Sequence, residues 1–262
     1  MKMIIESKNN KRFREFKKLT AVDGVHKYGK AIVSGKKLVK ETAQSAADRC
    51  TALITYERYA DDDSKIKTII QNFSDAGSLY ILKKHLYNEL DTFNTSAPLL
   101  VIQTPEIPEW DYRLTEGCNL LIPFQDPVNV GAVIRSAAGF GAKKIIILRE
   151  AAHPFHPRCI RASSGAVFKV SMQSGPSIAE LKKITDDKAL KVIALDKAGT
   201  PIETFQFPKK FLLLPGLEGQ GIPEALKASS ISIPISGAIE SLNAAIATSI
   251  MLFYWHLNIK PI

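Results

Sequence analysis

The alternation of apolar and polar positions is most regular in the second half of the chain. Asn119–Phe124, Lys144–Leu148, Val167–Met172, Lys191–Leu195, Phe211–Leu214 and Ile231–Ile233 are short apolar runs that predict strands. Helical or turn patterns separate them, at Val130–Gly139, Ser177–Asp187 and Ser241–Leu257. Strands alternating with helices predict an α/β domain with a parallel sheet covered on both faces. Such folds hold ligands at the carboxyl ends of strands, so the loops after Phe124, Leu195, Leu214 and Ile233 are the candidate sites. In the last helix Leu242, Ile246, Ile250, Phe253 and Leu257 form one apolar stripe, and Ala247, Met251, Tyr254 and Trp255 make the other side apolar too. A helix apolar all round has to be buried on both sides, and a subunit interface is one way to achieve that. Upstream, Lys8 to Leu19 reads as a basic amphipathic helix with Phe13, Phe16 and Leu19 inward, and Thr51–Tyr56 and Pro98–Ile102 read as short buried strands. Thr104–Asp111, with two prolines and three acids, reads as a linker. The expected organisation is a mixed α/β domain over residues 1–103, a linker over 104–116 and the parallel-sheet domain over 117–262.

Composition and charge add a partner to this picture. The 262 residues are 45% apolar and 23% charged, an ordinary globular profile, with a net charge of +9. Residues 1–40 hold twelve Lys or Arg against three acids, which accounts for the whole excess. That asymmetry suits a polyanion, nucleic acid first and an anionic membrane second, while a solvated charged face is the plain alternative. Lys11, Arg12, Lys17 and Lys18 on the amphipathic helix are the candidate phosphate contacts. MKMIIESKNN lacks a signal-peptide apolar core, and Ala244 to Trp255 is shorter than the ~20 residues of a membrane span. Cys50, Cys118 and Cys159 are few and far apart, which fits reduced thiols in a cytoplasm.

Three loops carry candidate chemistry. In the first, Asn129 is a candidate N-cap, and Gly131 and Arg135 share a face that bears little but one guanidinium. Close helix packing beside a surface Arg, or an anion site at a helix start, both fit that pattern. The second, Leu214 to Gly221, has three glycines that permit close backbone approach to a ligand, but lacks the Gly-Lys-Ser/Thr of a P-loop. The third runs from Ile231 to Asn243, where Ser241 is placed to cap the last helix and Glu240 suits its positive end. His153-Pro-Phe-His156-Pro-Arg-Cys159 reads as a stiff loop with surface histidines; without a fourth ligand nearby, no metal site is expected.

Taken together, the three segments resemble the motifs of the SpoU branch of the SPOUT methyltransferases, which modify the ribose 2′-hydroxyl of tRNA and rRNA. The likeness runs from about Leu120 to Leu257: Asn129-x-Gly131-x-x-x-Arg135-x-x-x-x-Phe140-Gly141, then Gly216-x-Glu218-Gly219-x-Gly221, then Ile233-Pro234 followed by Ser241-Leu242-Asn243. Arg161-Ala-Ser-Ser-Gly-Ala166 looks like the family's connecting segment. Residues 1–100 are more loosely similar to the substrate-binding domain related to ribosomal protein L30, chiefly through Gly29 to Glu41. Leu217 stands where family members carry a small or polar residue, and Pro215 precedes the glycine.

The resemblance implies a parallel-sheet domain tied in a deep trefoil knot. It further implies S-adenosylmethionine held by Gly216, Ile233, Leu242 and Leu195, and a homodimer packed through the knot region and the last helix. RNA is the implied substrate. Catalysis falls to Arg135, with Asn129, Glu218, Ser241 and Asn243 orienting it or the ribose. A free guanidinium has a pKa above ~12, which favours Arg135 as an electrostatic aid over a general base. A non-catalytic RNA-binding protein that kept the fold, and a knotted methyltransferase acting on a base, stay open beside this reading.

Overall fold

The computed structural model describes residues 2–217 and 221–259, Ile259 by its backbone alone. In the first part of the chain come β1 (Lys2–Ile5), α1 (Lys11–Lys18), α2 (Val22–Tyr28), β2 (Lys30–Val33), α3 (Lys36–Ser45) and β3 (Cys50–Tyr56). They are followed by α4 (Ser64–Asp75), β4 (Leu79–Leu82), α5 (Lys84–Leu90) and β5 (Leu99–Gln103). The second part holds β6 (Gly117–Ile122), α6 (Pro127–Phe140), β7 (Lys144–Ile147), α7 (Pro157–Ala162), β8 (Met172–Ser174) and α8 (Ile178–Asp187). It ends with β9 (Val192–Pro201), β10 (Lys210–Leu214), β11 (Ser230–Ser232) and α9 (Ala244–Ile259). Two compact units emerge: Met1–Pro105 with Phe155–Gly165, and Glu106–Pro154 with Ala166–Ile262.

The first unit is a five-stranded mixed sheet in the order β1-β4-β3-β5-β2. Strands β1, β4 and β3 run parallel, while β5 is antiparallel to both β3 and β2. Helix α1 forms as its pattern predicts: Asn10 caps it by accepting from the Arg12 and Phe13 N–H groups, and Phe13, Phe16 and Leu19 are buried. These three side chains join Ile54, Tyr80, Leu82 and Tyr87 in the unit's core. The turn into α2 needs Gly24, because a Cβ there would lie 2.0 Å from the Lys18 carbonyl oxygen. Helix α7 belongs to this unit although it arises between strands of the other.

The second unit is a six-stranded sheet in the order β11-β9-β10-β6-β7-β8, with every pair parallel. One layer of core joins Leu121, Ile146, Leu181, Ala194, Leu212 and Leu214. Trp110 enters the same cluster: the acidic, proline-bearing stretch ends on the second unit, where the Trp110 N–H donates to Ser174 O at 2.9 Å. In α6 the residues Val130, Val133, Ile134 and Ala137 are buried, and α9 packs beside it with Met251, Leu252 and Trp255 inward. Asn119 is fully buried yet satisfied, donating to the Thr115, Gly117 and Phe211 carbonyls and accepting from Thr115.

Three local expectations are corrected. Val167–Met172 is not a strand: Ala166–Phe168 forms a single 3-10 turn around buried Val167, and β8 begins only at Met172. Asn129 does not cap α6; Asp126 does, accepting from the Val128 N–H at 3.0 Å, with Pro127 opening the helix. Ser241 does not cap α9; the helix starts at Ala244, where the Asn243 side chain accepts from the Ala245 and Ile246 N–H groups. No helix among the described residues is long and apolar enough to cross a membrane.

Candidate functional site

The loops that follow β10 and β11 converge on a cavity of about 530 Å³ in the second unit. Leu195 lines it one residue past the last β9–β10 pair, Ala194 with Leu214. Gly216 lies two residues beyond the end of β10, and Ile233 directly follows β11. Leu242 and Ser241 close it from the segment leading into α9. All four residues expected to hold a small molecule, Leu195, Gly216, Ile233 and Leu242, therefore share one cavity wall. Gly216 carries no left-handed backbone; a Cβ there would meet only the Leu195 carbonyl oxygen, at 3.5 Å, so its missing side chain leaves room on the cavity side. Ile235 and Ile239, at 38% and 55% exposure, give the rim an apolar surface.

Sequence reasoning missed two charges on this wall, Asp196 and Lys197, and read the third, Glu240, only as suited to the positive end of the last helix. Asp196 accepts from the Ala198 N–H at 2.9 Å and faces Lys227 Nζ at 3.1 Å, and these contacts hold its carboxyl below the usual range. An Asp-Lys pair directly after an apolar strand was the available signal.

A second groove, of about 610 Å³, lies between α6 and α9. Asn129, Ser136 and Phe140 line it from α6, Ile246, Ile250 and Phe253 from α9, and Asn243 from the cap of α9. The Ser136 and Ser249 hydroxyls meet across it at 2.7 Å. Asn129 and Asn243 are thus brought together, while the adjacent Ser241 and Leu242 face the first cavity. Arg135 is exposed on α6, lines neither space, and makes no ion pair among the described residues. Glu218 lies outside the described residues, as does Gly219. The apolar stripe of α9 stays uncovered in the single chain: Ile246 is 55% exposed, Phe253 47% and Leu257 40%.

The four candidate phosphate contacts divide. Lys11 and Lys18 are exposed with no ion pair among the described residues. Arg12 binds Glu15 at 2.9 Å, and Lys17 donates to the Glu89 backbone oxygen at 2.9 Å with the Glu89 carboxylate at 3.8 Å. Glu15 also receives Lys30 at 2.8 Å; burial pushes its carboxyl up, but these two cations outweigh that and leave it below the ordinary value. Lys8, Lys36 and Lys40 are likewise engaged, by Glu89, Asp61 and Asp63. His156, read as a surface histidine, caps α7 by accepting from the Arg158 N–H at 3.1 Å.

Comparison with known proteins places the chain in a family. Residues 120–253 match the model of the SpoU rRNA Methylase family. The chain is 42% identical over 253 residues to the ribosomal RNA small subunit methyltransferase G 2 of Syntrophobacter fumaroxidans, covering 96% of this chain and 48% of that one. It thus spans about half the length of that relative. It is 25% identical over 255 residues to the 23S rRNA (guanosine(2553)-2′-O)-methyltransferase RlmP of Bacillus subtilis, covering 95% of this chain and 98% of that one. The AdoMet-bound rRNA methyltransferase of Sinorhizobium meliloti shares the fold, with a TM-score of 0.78 at 23% identity over 99% of both chains.

Proposed function

Because the chain belongs to the SpoU rRNA methylase family, we propose that it transfers the methyl group of S-adenosylmethionine to a ribose 2′-hydroxyl of structured rRNA or tRNA. The observation that carries the reading is the single cavity shared by Leu195, Gly216, Ile233 and Leu242. Its volume falls within the roughly 300–1,000 Å³ typical of small-molecule sites. Its lining suits the cofactor: backbone groups at strand ends and apolar rims for adenine, and Asp196, Lys197 and Glu240 for a zwitterionic amino acid. When bound, the cofactor supplies a methyl group already activated on a positively charged sulfur.

The chain's own residues then align the ribose and manage its hydroxyl. Arg135 attracts the phosphate beside the target ribose and stabilises negative charge as it develops on the 2′-oxygen. Asn129, Ser241 and Asn243, together with Glu218, orient that arginine and the ribose. Support comes from Ser241-Leu242-Asn243, three consecutive residues that line both the cavity and the α6–α9 groove. On this reading residues 117–262, apart from the Phe155–Gly165 segment that packs within the first unit, form a knotted catalytic domain, a rare exception to unthreaded topology. Residues 1–103 form an L30-like RNA-binding domain, joined through 104–116. The exposed stripe Ile246, Ile250, Phe253 and Leu257 is covered by a second copy, which makes the enzyme a homodimer. The separate, partly or fully buried thiols Cys50, Cys118 and Cys159 suit a cytoplasmic protein.

Methyl transfer from labelled S-adenosylmethionine to total RNA, followed by nucleoside analysis, tests the reading. A labelled 2′-O-methylnucleoside is expected. Label on a base would make the enzyme a base methyltransferase, and cofactor-free, transfer-free RNA binding would make it a non-catalytic protein. Arg135→Lys separates charge from geometry: partial activity is expected if charge suffices, whereas complete loss with both ligands still bound points to a base or bidentate role.

A further inference from the structure

Two of the four cations expected to meet RNA, Arg12 and Lys17, are engaged by carboxylates, whereas three others, elsewhere on the first unit, are not. Arg58, Lys84 and Arg161 are exposed and make no ion pair among the described residues. Two of them lie over rings. Lys84 Nζ sits 3.3 Å from the centroid of Tyr56, and the Arg161 guanidinium sits 4.7 Å from that of Phe93. Arg58 is followed by Tyr59, whose ring stands edge-on to Tyr56 at 5.3 Å. The register puts these groups at one end of the sheet: Ile54, near the carboxyl end of β3, pairs with Leu99, the first residue of antiparallel β5. The loop before β5 carries Phe93, and the Tyr56 hydroxyl donates to Ser96 O of that loop at 3.4 Å.

The backbone there is held under strain. Arg58, Asn94 and Ser96 have φ of 60°, 51° and 48°, a left-handed conformation that costs a non-glycine residue about 1–3 kcal/mol. Asp91 fixes the second loop by accepting from the Ser96 N–H at 2.7 Å and from Thr95 at 3.0 Å. Strained, pinned loops that carry Arg58 and Phe93, beside cations of α5 and α7 that lie over aromatic rings, are a means of recognising splayed bases, which stack on rings and on guanidinium planes alike. A duplex would instead call for a row of point charges along its backbone.

Building on the proposed RNA methylation, we infer that this loop face, centred on Phe93–Arg161 and Tyr56–Lys84 with Arg58 beside them, holds unpaired nucleotides of the RNA substrate by stacking. Arg161 comes from the motif segment Arg161-Ala-Ser-Ser-Gly165, so that segment serves RNA docking from within the first unit.

The test is binding of a short fluorescent single-stranded RNA of mixed sequence, with a fully paired RNA hairpin alongside, to the full chain. The wild type is expected to prefer the single strand. Phe93→Leu keeps apolar bulk but loses the ring, and Arg161→Lys keeps charge but loses the plane; each should weaken single-strand binding about fivefold or more, for a stacking contact of at least ~1 kcal/mol. Phe93→Trp should restore it, and the salt slope of Phe93→Leu should match wild type. S-adenosylmethionine calorimetry on each variant confirms an intact fold. It also separates the two claims, since a wild type that binds no cofactor sinks the methylation reading. Cofactor binding intact, with both variants within twofold of wild type on the single strand, overturns the inference. A preference for the hairpin overturns it too.

Discussion

Replacing Gly216 by alanine should move stability and cofactor affinity in opposite directions. The backbone at Gly216 is not left-handed, and the new methyl would meet only the Leu195 carbonyl oxygen, at the ordinary contact distance of 3.5 Å. Folding therefore tolerates it, and the restricted unfolded chain should raise stability by about 0.4–1 kcal/mol, roughly 1–4 °C in Tm for a chain of this size. The same methyl enters the wall of the cavity shared with Leu195 and Leu242. A ligand packed on that backbone then faces an overfilled site, which costs about 1–3 kcal/mol, or about 5- to 150-fold in Kd. Differential scanning fluorimetry and titration calorimetry with S-adenosylmethionine read the two quantities on one preparation. An affinity within twofold of wild type would refute close approach of the cofactor to Gly216. A fall in Tm of many degrees would show that the position matters for folding instead.

Other expectations concern the acid limb, the interface and the last cap. The lowered pKa of Glu15 makes its pairing with Lys30 and Arg12 stabilising above the ordinary carboxylate range of ~4.3, and that contribution is lost as pH falls through the folded-state value. Urea midpoints of Glu15→Gln should thus lie below wild type at neutral pH and converge with it in acid; a gap that persists unchanged into strong acid contradicts the assignment. If the proposed dimer packs through α9, Phe253→Glu in its exposed stripe should turn a dimeric wild type monomeric in sedimentation experiments; an unchanged dimer would relocate the interface, and a monomeric wild type would refute the dimer. Asn243→Ala should cost about 1 kcal/mol of stability through loss of the cap. Asn243→Asp should restore the cap but not methyl transfer, and recovery of both would reduce Asn243 to a structural role.

The second unit was legible because its signals are local. Short apolar runs separated by helical or turn patterns mark β6, β7, β9, β10 and β11, and the Ser177–Glu180 pair that opens α8 closes a reciprocal capping box. Helix α9 is legible because twelve residues without an acidic or basic interruption before His256 admit little else. Caps were misread where two candidates lay within three residues. Asp126 prevailed over Asn129 because Pro127 fits only the first helical turn, and Asn243 over Ser241 because it directly precedes the helix. Val167 reads as strand because burial looks alike in a 3-10 turn and in a short edge strand. In the first unit, β1, β2 and β4 have four residues each, too few to show a period. The four residues of the candidate cofactor wall came from the family resemblance, carried over position by position. The charges on it did not, because Asp196 and Glu240 acquire meaning only once β9 and the segment before α9 are brought to one cavity.

The assignment of Phe155–Gly165 to the first unit carries a consequence for how the protein can be divided. The polypeptide passes between the two units three times, after Pro105, before Phe155 and after Gly165. A fragment ending at Pro105 would lack buried Phe155, Cys159 and Ile160, and one starting at Glu106 would carry them without their surroundings. Neither half is a self-sufficient cassette. A protease cut in the proline-rich stretch would leave a nicked but still tethered molecule, and gene fusion or exchange of the first unit would succeed only if α7 travelled with it.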